Sequence, residues 1–141
     1  MPTLRHLTLI LLLTVLGILP ISTQANEAAW KVLKKGGLVI LMRHSLAPGI
    51  GDPPGFERGR CDTQRNLSAA GRAQAQAAGR ALRERDTPIA AVYSSSWCRA
   101  LGTAELMALG PVEPTPWLDS FFRGQGDQAL MTQTAQEQIS A

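Results

Sequence analysis

Five consecutive apolar residues, Leu38, Val39, Ile40, Leu41 and Met42, follow a Gly36-Gly37 breaker and end abruptly in Arg43 and His44. A run this short and this apolar predicts a strand buried on both faces. In open α/β sheets, ligands bind where strands end at their carboxyl side. A guanidinium beside an imidazole at that point therefore predicts an anion site holding a nucleophile or an acid–base group.

The 141 residues suit one domain, and residues 1–25 are expected to lie outside it. Arg5 and the amino terminus form a positive region, and residues 7–19 are apolar apart from Thr8, Thr14 and Gly17. Pro20 breaks that segment, and Thr23 and Ala25 are small residues placed for cleavage. This is the pattern of a secretory signal peptide. The alternative is an uncleaved anchor, but thirteen residues fall short of the ~20 that span a bilayer. Cleavage after Ala25 leaves residues 26–141 as the mature chain, exported to a periplasmic or extracellular compartment, with no stable membrane anchor.

Charge says more by its distribution than by its sum. Ten of the eleven arginines lie between Arg43 and Arg123, without blocks of like charge or aromatic interleaving. That excludes a nucleic-acid-binding stripe. Most of these arginines read as solvated helix surface.

Taken in order, residues 27–35 predict a short helix, and the 38–42 strand follows. Residues 45–66 show no period and carry four glycines and three prolines with Arg58, Arg60 and Arg65. A structureless stretch of this length is functional or disordered, and the arginines favour a substrate-facing loop. Ser68 is placed to cap a helix reaching about Arg85, with Ala70, Ala73, Ala77 and Ala81 as its sheet-facing stripe. Residues 89–93 predict a second strand. Ser94, Ser95 and Ser96 are placed to cap a helix over 97–109, which Gly110 and Pro111 stop. The prolines among residues 112–117 suit a short edge strand, and Asp127 is placed to cap a last helix through about Ile139. The alternation predicts a parallel α/β sheet.

The two predicted strand ends look alike. One delivers Arg43 and His44; the other delivers Arg99 at the start of a helix, where free N–H groups and the helix dipole favour a phosphate. Arg99 alone is an ordinary surface residue, and His44 alone an ordinary hydrogen-bonded histidine. At adjacent strand ends, Arg43 and Arg99 are expected to clamp one anion bidentately, with His44 placed to attack its phosphorus.

These residues carry a resemblance. Leu41-Met42-Arg43-His44, then Leu67-Ser68 with Gly71, Gln74 and Ala75, then Tyr93-Ser94-Ser95 with Arg99, Ala100, Thr103 and Ala104, resemble the histidine phosphatase superfamily, also called phosphoglycerate mutase-like. Cys61-Asp62-Thr63-Gln64-Arg65-Asn66-Leu67-Ser68 and Trp97-Cys98-Arg99 are similar to an exported bacterial subgroup. The resemblance implies a three-layer α/β fold with a mainly parallel central sheet flanked by helices. It implies phosphomonoester hydrolysis through a phosphohistidine on His44, with Arg43 and Arg99 holding the phosphoryl group. A small phosphorylated substrate is the implied partner, and no cofactor or metal is implied. A carboxylate after the third strand often serves as general acid in the family, which makes Asp119 the candidate.

The resemblance also implies a second active-site histidine near the carboxyl end. This sequence holds only His6 and His44. The expectation is a C-terminally truncated and impaired phosphatase; the alternative is a non-catalytic anion-binding protein on the same fold. Cys61 and Cys98 complete the candidates. Two cysteines in an exported chain predict a disulfide, whereas the helix start and Arg99 suit a reactive thiol at Cys98.

Overall fold

The computed structural model describes residues 22–121, 124 and 126–140. The expected signal peptide lies almost wholly outside them. Among the described residues, no helix is long and apolar enough to cross a membrane. The chain divides into two units, residues 1–32 and 33–141. The first helix, α1 (Ser22–Leu33), lies almost wholly in the first unit and begins earlier than its sequence pattern predicts.

The second unit has α/β order. Helix α2 (Ala69–Arg83) leads to strand β1 (Val92–Ser94), helix α3 (Cys98–Met107) and strand β2 (Val112–Pro114). A 3-10 turn (Pro116–Leu118) and helix α4 (Gln128–Ser140) complete it. The two strands pair in parallel, with Val92 opposite Val112 and Ser94 opposite Pro114. Pro114 has no N–H to donate, which suits the end of an edge strand.

The 38–42 run departs from the expected doubly buried strand. It forms no ladder among the described residues. Its side chains are exposed, Leu41 to 72 %. The 89–93 prediction is corrected in part: only Val92 to Ser94 pair. Instead of bonding to each other, the two segments line an apolar cleft of about 440 Å³. Ladder formation needs a neighbour at hydrogen-bonding distance, and an apolar sequence cannot supply that by itself.

Helix α2 begins as its sequence predicts: Ser68 Oγ accepts the Gly71 N–H at 3.0 Å. Its buried stripe is not the one expected. Gly71, Ala75, Gly79 and Leu82 are buried, whereas Ala70, Ala73 and Ala77 are exposed. The glycines are there for close approach. A Cβ on Gly71 would collide with the Leu46 carbonyl, and one on Gly79 with that of Met107. Thus α2 packs on the loop backbone and on the end of α3. Arg83 strengthens that contact by donating from Nη1 to the Met107 and Ala108 carbonyls.

Helix α3 starts one residue later than predicted, and Trp97 rather than a serine occupies its cap position, without a side-chain cap bond. It ends at Met107, where Ala108 turns left-handed (φ 52°). Helix α4 is capped as expected, Asp127 Oδ1 accepting the Leu130 N–H at 3.0 Å, and rests against the 3-10 turn. The core is small: Ala47, Leu67, Ala75, Leu82, Trp97, Cys98 and Met107.

Candidate functional site

The end of the 38–42 segment is fixed by polar bonds rather than by a sheet. The Ser45 N–H donates to Thr103 Oγ1 at 3.0 Å, and the Thr103 hydroxyl donates to the Arg99 carbonyl at 2.7 Å. The Leu46 N–H donates to Gln74 Oε1 at 3.0 Å, and the Leu46 carbonyl accepts the Ser68 N–H at 3.1 Å. His44 is thereby held between α2 and α3, half-buried, with Arg43 exposed beside it.

The His44 ring is oriented for chemistry at one nitrogen. Nδ1 lies 2.7 Å from the Ser45 carbonyl. A carbonyl only accepts, so Nδ1 carries the proton and Nε2 keeps its lone pair. Burial pushes the pKa below its ordinary value of 6.5. The Ser45 bond pulls the other way, and the positive charges of Arg99, Arg65 and Arg43 add to the lowering. The imidazole is therefore neutral at neutral pH, as a nucleophile must be.

A cleft of about 500 Å³ opens beside this ring. Arg43, His44 and Arg99 all line it, so the structure brings together the three residues that the sequence paired. The long loop also faces it, with Gly49, Asp52 and Phe56, as does Arg65. Arg99 is buried, its guanidinium carbon 4.7 Å from the centre of the Trp97 ring. Phe56 packs against the same ring at 5.1 Å.

At the helix start expected to seat an anion, side chains take up part of the backbone donor set. The Cys98 N–H donates to Gln64 Oε1 at 3.0 Å, and the Ser96 N–H to Asp119 Oδ1 at 2.6 Å. Trp97 N–H reaches Ser95 Oγ at 3.4 Å. Side chains already satisfy these donors, so guanidinium groups form the basic wall of the cleft.

Asp119 lies behind the cleft wall, bonded to Ser95 and flanked by Leu118 and Ser120, which line the cleft. Its carboxylate is buried; Oδ2 accepts from Arg58 Nη1 at 2.8 Å, and Oδ1 accepts from Ser95 Oγ at 2.9 Å as well as from Ser96. These bonds tie the turn after β1 to the end of the 3-10 turn. Cys61 and Cys98 form a disulfide, with Cα atoms 5.6 Å apart. The bridge pins the long loop to the start of α3, as expected for the oxidised pair.

Sequence reasoning missed two residues of this cleft. Arg65 stood out only as one of three loop arginines. Its Nε donates to the Gly51 carbonyl at 2.9 Å, and its Nη1 to that of Ala47. Asp52 was not singled out. Its Oδ1 and Oδ2 lie 3.0 and 3.1 Å from Arg99 Nη1. Asp52 is one of three acids in that loop, with Glu57 and Asp62, so no local signal set it apart. Among the described residues, no group of three or more His, Cys, Asp and Glu side chains is placed to hold a metal ion.

Compared with known families, residues 39–138 match the family model described as histidine phosphatase superfamily (branch 1). No curated protein and no solved structure matches the chain.

Proposed function

The chain belongs to the histidine phosphatase superfamily, branch 1, and from that premise we propose that it hydrolyses phosphomonoesters through a phosphohistidine on His44. The observation that carries this reading is the His44 ring: Nδ1 engaged by the Ser45 carbonyl, Nε2 unprotonated, and the charges of Arg43, Arg65 and Arg99 acting on it.

In the first step Nε2 attacks phosphorus in line and the ester P–O bond breaks. The leaving oxygen takes the bonding pair and a proton from an acid. In the second step water attacks the phosphohistidine, the N–P bond breaks, and inorganic phosphate and neutral His44 are restored. Arg43 and Arg99 neutralise the equatorial oxygens in both steps. We assign Asp119 first to holding the turn that carries Ser95 and Ser96. To act as the acid, its carboxylate has to leave Arg58.

His44 is the one histidine of the sequence outside the proposed leader. The disulfide supports the proposal that the chain works in an oxidising compartment, periplasmic or extracellular. The substrate is proposed to be small, with the long loop selecting it.

The test is turnover of p-nitrophenyl phosphate together with titration of orthophosphate. Arg43→Ala and Arg99→Ala should each weaken orthophosphate binding by about 2 kcal/mol. Unchanged affinity in both variants would contradict a shared phosphoryl pocket. Binding without any turnover would favour the non-catalytic anion-binding reading.

A further inference from the structure

Asp52 brings a negative charge into a cleft otherwise lined by positive ones. The arginines Arg43, Arg65 and Arg99 line it with this single carboxylate. The Asp52 and Arg99 side chains are 5 % and 9 % exposed. Both Asp52 oxygens bond one nitrogen of Arg99, and the Arg65 backbone N–H donates to Oδ1 at 2.9 Å. The Nε of Arg99 is buried and has no hydrogen-bond partner among the described residues. Arg99 thus has one nitrogen engaged by the loop carboxylate and a second donor unengaged. Arg58, the neighbouring cation over Trp97, is paired with Asp119.

We infer that Asp52 sets the charge of the ligand this cleft accepts. The inference rests on the phosphoryl-site reading above and deepens it. One carboxylate against three guanidinium groups leaves two net positive charges, which match the dianion of a simple phosphomonoester. A second phosphate on the ligand meets the Asp52 carboxylate, which repels it in a partly desolvated cleft. The substrate class is then a monoester whose remaining group is uncharged, rather than a bisphosphate or a diphosphate. An acid serving only to orient Arg99 would hold that guanidinium in place without discriminating between anions, and the two roles separate in a competition experiment.

Orthophosphate and pyrophosphate are titrated calorimetrically into the full chain and into Asp52→Asn and Asp52→Glu. Wild type should bind orthophosphate at least as tightly as pyrophosphate, despite the greater charge of the latter. Asp52→Asn should shift the ratio toward pyrophosphate by about tenfold, and Asp52→Glu, which keeps the charge, should keep the wild-type ratio. A wild-type preference for pyrophosphate overturns the inference without needing any variant to fold, as does equal weakening of both anions in Asp52→Asn. If wild type binds neither anion, the phosphoryl-site reading fails and this inference with it.

Discussion

The Ser45 backbone N–H donates to Thr103 Oγ1 at 3.0 Å across 58 residues of chain. Both residues are buried. Through this bond, α3 fixes the backbone immediately after His44, although the preceding apolar segment pairs with no strand among the described residues. The same hydroxyl donates to the Arg99 carbonyl. One threonine therefore sets the distance between the proposed nucleophile and its arginine clamp.

Thr103→Val keeps the shape and removes both bonds. Leaving the buried Ser45 N–H unpaired should cost about 1–3 kcal/mol in stability, read by urea denaturation. Turnover should fall further than the population of folded protein accounts for, because His44 loses its register. Wild-type turnover per folded molecule would show that Thr103 does not position the histidine.

The disulfide closes a span of 37 residues. Chain entropy for a loop of that length amounts to about 4 kcal/mol. Cys61→Ser with Cys98→Ser should lower stability toward that figure. It should also weaken orthophosphate binding, because the loop that carries Asp52 and Arg65 loses its anchor at α3. Thermal denaturation with and without reductant checks the first effect, and titration the second. A reduced protein with unchanged phosphate affinity would place the loop outside the binding site.

His44 titrates below 6.5 in the folded protein because of burial first and the arginine charges besides. The acid limb of kcat/KM should therefore lie below pH 6.5. Phosphate binding offsets the arginine charges, so the corresponding limb of kcat should lie higher than that of kcat/KM. Stability follows the same linkage. Above pH 6.5 the ring is neutral in both states and its contribution is complete. As pH falls from 6.5 toward the lowered folded value, the unfolded chain takes up the proton first and the folded state loses stability. His44→Ala should flatten the pH dependence of Tm in that window. An acid limb above 6.5 in kcat/KM would contradict the burial-driven shift.

The sequence was most informative where the signal is local or chemical. Ser68 caps α2, Asp127 caps α4, and Cys61 pairs with Cys98. Arg43, His44 and Arg99 meet at one cleft, as their positions after two apolar runs suggested. It was least informative where distant residues decide. The 38–42 run looks like a central strand, yet pairing depends on a neighbour that hydropathy does not name. The α2 stripe was misplaced because Gly71 and Gly79 contribute no hydrophobic signal while making the closest backbone approaches. Asp52 lies 47 residues from Arg99, and no local pattern joins them. The start of α3 looked open to an anion because nothing nearby in sequence shows that Gln64 reaches the Cys98 N–H, or Asp119 the Ser96 N–H just before the helix.

The central claim is that His44 forms a covalent bond to phosphorus. Brief exposure of the wild-type chain to p-nitrophenyl phosphate, followed by alkaline quenching and peptide mass spectrometry, tests it directly. The account predicts an acid-labile phosphoryl group of about 80 Da on the peptide carrying His44, formed by nucleophilic attack at its imidazole and absent from His44→Ala, which should also lose turnover. Undiminished turnover in His44→Ala, or an acid-stable phosphate on another residue, would contradict it.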